Sequence, residues 1–435
     1  MYLTGTMKIN NNNHLEVGGI DTIDLAKNFG TPLWVIDEAG FRQNCRSFRD
    51  AFNRLGDSLV LYASKALTNL AICRIVEQEG LGLDVVSGGE LYTTLQAGFP
   101  LGKVYFHGNN KSQDELKMAC RAGVGRIVVD NFYELELLNT ICAREEKNQD
   151  IMLRITPGVE AHTHEYIQTG QLDSKFGFTI GDQAMAGIKT AVKNRHLKLV
   201  GLHCHIGSQI FEMESFRHAV SVMIDFMHQV RNMTGHEFDE LDVGGGFGIY
   251  YYHGDTPCTP HQWAEAVMHT VQEKCRERKL KIPRIVIEPG RAISSPAGIT
   301  LYTVGSINEV PGVRKYLAID GGMTDNPRPA LYNAQYTAAI ANKMDQAPGE
   351  TVSIAGKCCE SGDMLIWDAK LPRAEPGDIL VVFTTGAYNY SMSSNYNRVT
   401  RPAMVLANQG IAETIVKRET YDDLIRNDLV PDRLK

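Results

Sequence analysis

The chain has 435 residues, too many for one ordinary domain and enough for two. Apolar content of 43% and charged content of 22% are those of a globular protein, and a net charge of −7 argues against a general binder of nucleic-acid phosphate. No run of 18 apolar residues suggests a membrane span, and the polar start "MYLTGTMKINNNNHLEV" lacks the apolar core of a signal peptide, so the expected location is cytoplasmic. The nine cysteines are scattered without a CxxC pair or an even framework, which reads as reduced thiols rather than disulfides or a structural zinc site.

In chain order, "LEVGG" and "PLWVI" within residues 1–36 look extended. Phe41, Cys45, Phe48 and Phe52 then recur at helical spacing, with Asp37 as the N-cap. Eight short apolar runs follow: 58–63, 83–86, 103–106, 126–129, 151–155, 198–203, 240–243 and 284–287. Amphipathic stretches separate them, among them 112–122, 131–146, 212–234 and 260–279. One helix per strand over about 250 residues predicts a parallel sheet closed into an α/β (β/α)8 barrel. After residue 295 the strands "ITLYTVGSI", "KYLAIDGG", "TVSIAGK", "DILVVFTTGAY" and "AMVLANQGIAETIVKRE" are separated by Gly and Pro turns. They predict a mainly antiparallel β domain. The expected division is a barrel over 37–294 and a β domain from 1–36 plus 295–435.

Barrel enzymes carry their chemistry at the C-terminal ends of the strands. The conspicuous polar residues fall there: Lys65, Asp84, Ser87, His107, Arg154, His203, His205, Gly244 to Gly246 and Glu288. Lys65 in "YASKAL" loses hydration at a buried strand end, which suits a Schiff-base lysine; a lysine snorkelling from the rim would look the same. "DVGGGFG" after the seventh strand can close backbone N–H groups around a phosphate, or simply make a tight turn. Glu288 in "IEPGR" can keep a pyridine nitrogen protonated, or pair with Arg291 at the rim. "HCHIGSQ" offers either a ring-stacking histidine or, with His107 and Asp84, a metal site of a barrel hydrolase. Arg328 in "RPALY" suits a carboxylate, or is a surface arginine beside a turn. "CCESGD" sets Cys358 beside Cys359; strand alternation would send them to opposite faces.

Taken together and in order, "YASKA", "LDVVSGGEL", "HGNNKS", "DSKFGF", "HCHIGSQ", "GGGFG", "EPGR", "RPALY", "CESGD" and "GAY" resemble the pyridoxal-phosphate-dependent decarboxylases of the alanine-racemase-like fold type III. Within that group they resemble the diaminopimelate decarboxylase family over roughly residues 15 to 420. The resemblance implies pyridoxal 5′-phosphate as cofactor and no metal. It also implies a homodimer with shared active sites and the conversion of meso-2,6-diaminopimelate to L-lysine and carbon dioxide, the final step of lysine biosynthesis.

The resemblance implies that Lys65 bonds the cofactor, that Glu288 pairs with its ring nitrogen and that His205 lies against the ring. Gly245, Gly246, Gly290 and Tyr388 would hold the phosphate, with Ser208 a weaker candidate. Arg291, counted with the cofactor residues as well, would contact the substrate together with Arg328, Tyr332, Glu360 and Tyr388. Cys359 would deliver a proton to the carbon that loses the carboxyl group. Decarboxylases of ornithine or arginine are the near alternatives, and their cationic substrates call for an acidic group where Arg328 stands. A metal hydrolase and a catalytically silent homologue are more distant ones.

Overall fold

The computed structural model describes residues 3–159 and 174–435. Asp173, the first residue of "DSKFGF", and the first two residues of the 1–36 segment lie outside the described residues. The chain divides into two compact units, one of residues 42–249 and 256–293, the other of residues 1–41, 250–255 and 294–435.

The first unit is a closed parallel barrel. Its strands are β1 (Ser58–Ala63), β2 (Gly82–Val85), β3 (Val104–Phe106), β4 (Arg126–Val129), β5 (Gln149–Thr156), β6 (Leu197–His203), β7 (Glu240–Asp242) and β8 (Arg284–Ile287). Each pairs in parallel with the next, and β8 returns to β1 through Ile285 opposite Ser58. A short strand, Phe178–Thr179, adds to β5. Continuous burial along these strands is what two covered faces require, and it explains why they read as apolar runs rather than alternating ones.

The helices between strands start where the side chains dictate. Asn69, Ser87 and Asn131 each accept a backbone N–H of the first helical turn. Ser112 with Glu115, and Thr259 with Gln262, form capping boxes, the second with Pro260 at the first helical position. Leu61, Tyr105, Val128, Met152, Val200 and Val286, from six different strands, form one buried cluster. At the N-terminal side of the strands Glu240 accepts the Tyr105 hydroxyl at 2.8 Å and two Arg126 nitrogens at 3.0 and 2.8 Å. This network lies at the end of the barrel opposite the chemistry-bearing groups.

The second unit is built on a sheet in the order 364–371, 350–355, 314–319, 298–310, 33–37, 403–408, 411–416. Most of its pairings are antiparallel; 350–355 with 314–319, and 403–408 with 33–37, run parallel. Strand Ile379–Phe383 adds to 298–310 from the side. Leu33, Val35, Ile299, Leu301, Val381, Phe383 and Val405 form its core with Leu15, Val17 and Leu25. Each such side chain contributes about 1.5–3 kcal/mol on burial, which is why the extended segment "PLWVI" is held as an interior strand. Leu25 comes from a helix, Thr22–Phe29, in a stretch whose sequence reads as extended in part; Asp21 caps it by accepting the Ile23 N–H.

Candidate active site

Lys65 lies in a single 3-10 turn, Ser64–Ala66, that begins as β1 ends. Ser64 anchors the turn by donating to the carbonyl of Asp84 on β2. The half-buried Lys65 ammonium acts electrostatically on both Asp84 and His205, so its charge faces the barrel mouth. Gly290 lies directly behind this turn: a Cβ there would stand 2.9 Å from the Ala63 Cβ and 3.1 Å from that of Ala66.

Glu288, one residue past β8, is buried at the centre of the mouth. His107 Nε2 lies 3.0 Å and His203 Nε2 3.4 Å from its Oε1, and His107 Nε2 is 3.7 Å from Asp84. The two imidazoles meet edge to face, with centroids 4.9 Å apart. Burial opposes charge on Glu288, but the two histidines overcome it and hold the carboxyl well below the usual carboxylate range. Burial and the neighbouring Glu288 drive Asp242 the other way, well above that range. Burial lowers His203 to about 4, leaving the ring neutral.

His205, two residues beyond the end of β6, takes a different partner: its Nδ1 accepts the Gly245 N–H at 3.2 Å. Burial, then the charges of Lys65 and Arg154, push its basicity well below that of a free imidazole. It is therefore a neutral ring with its proton on Nε2. Gly245 and Gly246 permit the backbone crossing itself: a Cβ on Gly245 would stand 2.2 Å from the Glu288 carbonyl oxygen, and one on Gly246 2.2 Å from that of Gly207. Gly246 also takes φ +102°, where L side chains are strained. Arg291, buried just after Gly290, donates to Ser208 Oγ at 2.9 Å and so ties the last barrel loop to the one after β6.

Among the described residues, Glu288 Oε1 and both carboxylate oxygens of Asp84 are buried without a well-directed hydrogen bond. A buried acceptor in that condition fits a protonated ring nitrogen, and the glycine loop beside it fits a phosphate, so the residues present suit pyridoxal phosphate. The ligand atoms of His107, His203 and Glu288 also lie within 4.8 Å of one another. The buried Arg154 cation acts on His203 and Glu288 of this cluster and makes it a poor host for a divalent ion. His203 and His205, read together as a metal pair, go to Glu288 and to Gly245 respectively.

The remaining candidate residues belong to the β unit. Arg328 opens the short helix Arg328–Tyr332 and is buried. It donates to the Tyr336 hydroxyl at 2.5 Å and stacks over the rings of Tyr251 and Tyr336, at 5.0 and 5.6 Å. Burial works against its charge, yet the phenols of Tyr251 and Tyr336 and, less closely, Tyr388 hold its basicity above that of a free guanidinium. Tyr332 is half-buried at the end of the helix, and the Arg328 hydrogen bond goes to Tyr336 instead. Tyr251 and Tyr336 were not singled out from the sequence. Tyr388 sits at φ +62°, an uncommon conformation for a residue with a side chain.

The loop 355–363 separates the two thiols. Cys358 is buried, and burial and then Asp363 raise its thiol to about 11. Cys359 is exposed, with its backbone N–H on Asn397 Oδ1 at 2.7 Å. Glu360 is exposed and accepts the Gly362 N–H at 3.1 Å. Asp363, the last letter of "CESGD", organises the loop by accepting the N–H groups of Met323 and Cys358 at 2.6 and 2.8 Å.

Comparison with known proteins decides the family. Residues 38–295 match the family described as pyridoxal-dependent decarboxylase, pyridoxal binding domain. The chain is 52% identical over 431 residues to a diaminopimelate decarboxylase of Bacillus subtilis, covering 99% of this chain and 98% of that one. It belongs to the diaminopimelate decarboxylase family. A second relative, from Bacillus methanolicus, bears the same name and is 51% identical over 96% of this chain and 98% of its own. The crystal structure of diaminopimelate decarboxylase from M. jannaschii with L-lysine superposes with a TM-score of 0.93 at 37% identity, covering 100% of both chains. The chain is accordingly a carboxy-lyase of the pyridoxal-phosphate type, on the barrel and mainly antiparallel sheet expected from its sequence.

Proposed function

We propose that the chain removes one carboxyl group from meso-2,6-diaminopimelate, releasing carbon dioxide and L-lysine, the final step of lysine biosynthesis. The observation that carries this reading is the meeting of Lys65, His205, Glu288 and the glycine loop at one barrel mouth, in a chain 52% identical to a diaminopimelate decarboxylase over almost its whole length. When bound, pyridoxal phosphate supplies an aldehyde that links to amines and a ring that accepts the electrons a departing carboxyl group leaves behind.

The chain's own residues do the rest. Lys65 anchors the aldehyde, Glu288 holds a proton at the ring nitrogen, and neutral His205 covers one ring face without adding charge. Backbone groups of Gly245, Gly246 and Gly290, with Ser208 and Tyr388, hold the phosphate. Arg291 and Arg328 recognise carboxylates, Tyr332, Tyr388 and Glu360 complete the substrate contacts, and Cys359 delivers the proton to the carbon. The barrel over 37–294 binds the cofactor, and the β domain of 1–36 plus 295–435 contributes to the active site. The working form is a cytoplasmic homodimer with shared sites. The phenols around Arg328 support a substrate with a second carboxylate at its far end over ornithine or arginine, since they leave a fixed cation where such substrates end in one.

The test is carbon dioxide release from a panel of diamino acids with purified protein and added pyridoxal phosphate. Release from meso-diaminopimelate well above that from lysine, ornithine or arginine supports the assignment. Faster turnover of ornithine or arginine would overturn it.

A further inference from the structure

The histidine pair at the barrel mouth has no part in the roles assigned above. His107 comes from the end of β3 and His203 from the end of β6, and both rings are at most 5% exposed. Both place Nε2 beside one atom, Glu288 Oε1, at 3.0 and 3.4 Å, without a well-directed hydrogen bond. Their edge-to-face contact, 4.9 Å between centroids, fixes each ring against the other. A buried glutamate needs such support, because removal from water favours its neutral form. A neutral glutamic acid could not hold a proton on a pyridine nitrogen. The other titratable groups facing Glu288 are Asp84, which opposes its ionisation, Arg154, which favours it, and Asp242, whose own carboxyl is held well above the carboxylate range beside it.

We propose that His107 and His203 are positioning residues for the cofactor: together they flank one oxygen of Glu288 and keep its carboxylate in place for the ring nitrogen. Neither touches the cofactor in this role; both act through Glu288. The inference rests on the reading of Glu288 as the ring-nitrogen partner. His203 is neutral, so it adds no charge beside the carboxylate.

The experiment is a double-mutant cycle on pyridoxal phosphate affinity. Wild type, His107→Phe, Glu288→Gln and the double variant are prepared as apoproteins and titrated with pyridoxal phosphate. The ring nitrogen is followed with 15N-labelled cofactor, and folding is checked by thermal melting. His107→Phe alone should weaken binding about tenfold or more, the loss expected for a contact to a charged group. It should also move the 15N resonance toward the unprotonated position. In the Glu288→Gln background the same change should cost less than about twofold. His107→Gln, which keeps a donor, should recover part of the loss, and His203→Phe serves for the same cycle if His107→Phe does not fold. Equal losses in both backgrounds, or an unmoved 15N resonance, would overturn the inference and leave Glu288 in its role. A Glu288→Gln protein with wild-type affinity and an unmoved resonance would instead remove that role.

Discussion

Cys358 and Cys359 are covalent neighbours with opposite environments. Cys358 is packed beside Asp363, with its thiol raised to about 11, where it neither gives nor takes a proton readily near neutral pH. Cys359 faces outward. Cys359→Ala is therefore expected to lower kcat at least about a hundredfold, the scale of a lost general acid. Cys358→Ala should act mainly on stability; steady-state kinetics and thermal melting on both proteins check this. Equal activity losses would reject the choice of thiol.

Glu90 gives a pH prediction at the same scale. Burial, with Asp84 nearby, raises its carboxyl to about 7, while its Oε2 still accepts the Val86 N–H at 2.7 Å. A carboxyl raised in the folded state binds its proton more tightly there than in the unfolded chain. Its contribution is present below the unfolded value near 4.5 and is lost as pH rises through about 7. Glu90→Gln keeps the acceptor and removes this slope, so the variant's melting temperature relative to wild type should rise between pH 5 and pH 8, on the order of one to a few degrees. A constant difference across that range would contradict the assignment.

At the scale of elements, the barrel was legible because its strands are short apolar runs that alternate with amphipathic stretches. In the structure Ser87, Ser112, Asn131 and Thr259 cap the helices that follow them. The polar residues at the strand ends could be listed for the same reason. What they touch could not. The convergence of His107, His203 and Glu288 depends on the curvature and register of three distant strands, which no local pattern encodes. Tyr251 and Tyr336 beside Arg328 were missed on similar grounds, since Tyr251 joins the β unit through the short excursion 250–255 from the barrel sequence. Helix Thr22–Phe29, capped by Asp21, is less legible because it is short and lies between extended apolar segments. The glycine loop yields a prediction here. A methyl on Gly245 meets backbone, not a yielding side chain, so Gly245→Ala should weaken pyridoxal phosphate binding about tenfold or more by equilibrium titration. Wild-type affinity in that variant would show that the loop takes no part in holding the phosphate.

For the whole molecule, the proposed homodimer with shared sites predicts complementation. Lys65→Ala and Cys359→Ala proteins, each inactive alone, should form hybrid dimers with one intact site when unfolded and refolded together. About a quarter of wild-type activity is expected from random pairing. No recovery, despite hybrid dimers detected by native mass spectrometry, would mean that each chain completes its own site. The β-unit sheet and the barrel were both readable from pattern; how they share work was carried by resemblance to a family, since sequence periodicity reports burial within one chain and not contacts with a second.

The central claim is that Lys65 carries the cofactor that drives the decarboxylation. Borohydride reduction of the holoenzyme followed by peptide mass mapping tests it most directly. The account predicts a stable phosphopyridoxyl addition on the peptide containing Lys65, absent when meso-diaminopimelate is present in excess during reduction. Modification of a different lysine, or none in protein that still releases carbon dioxide, would contradict it.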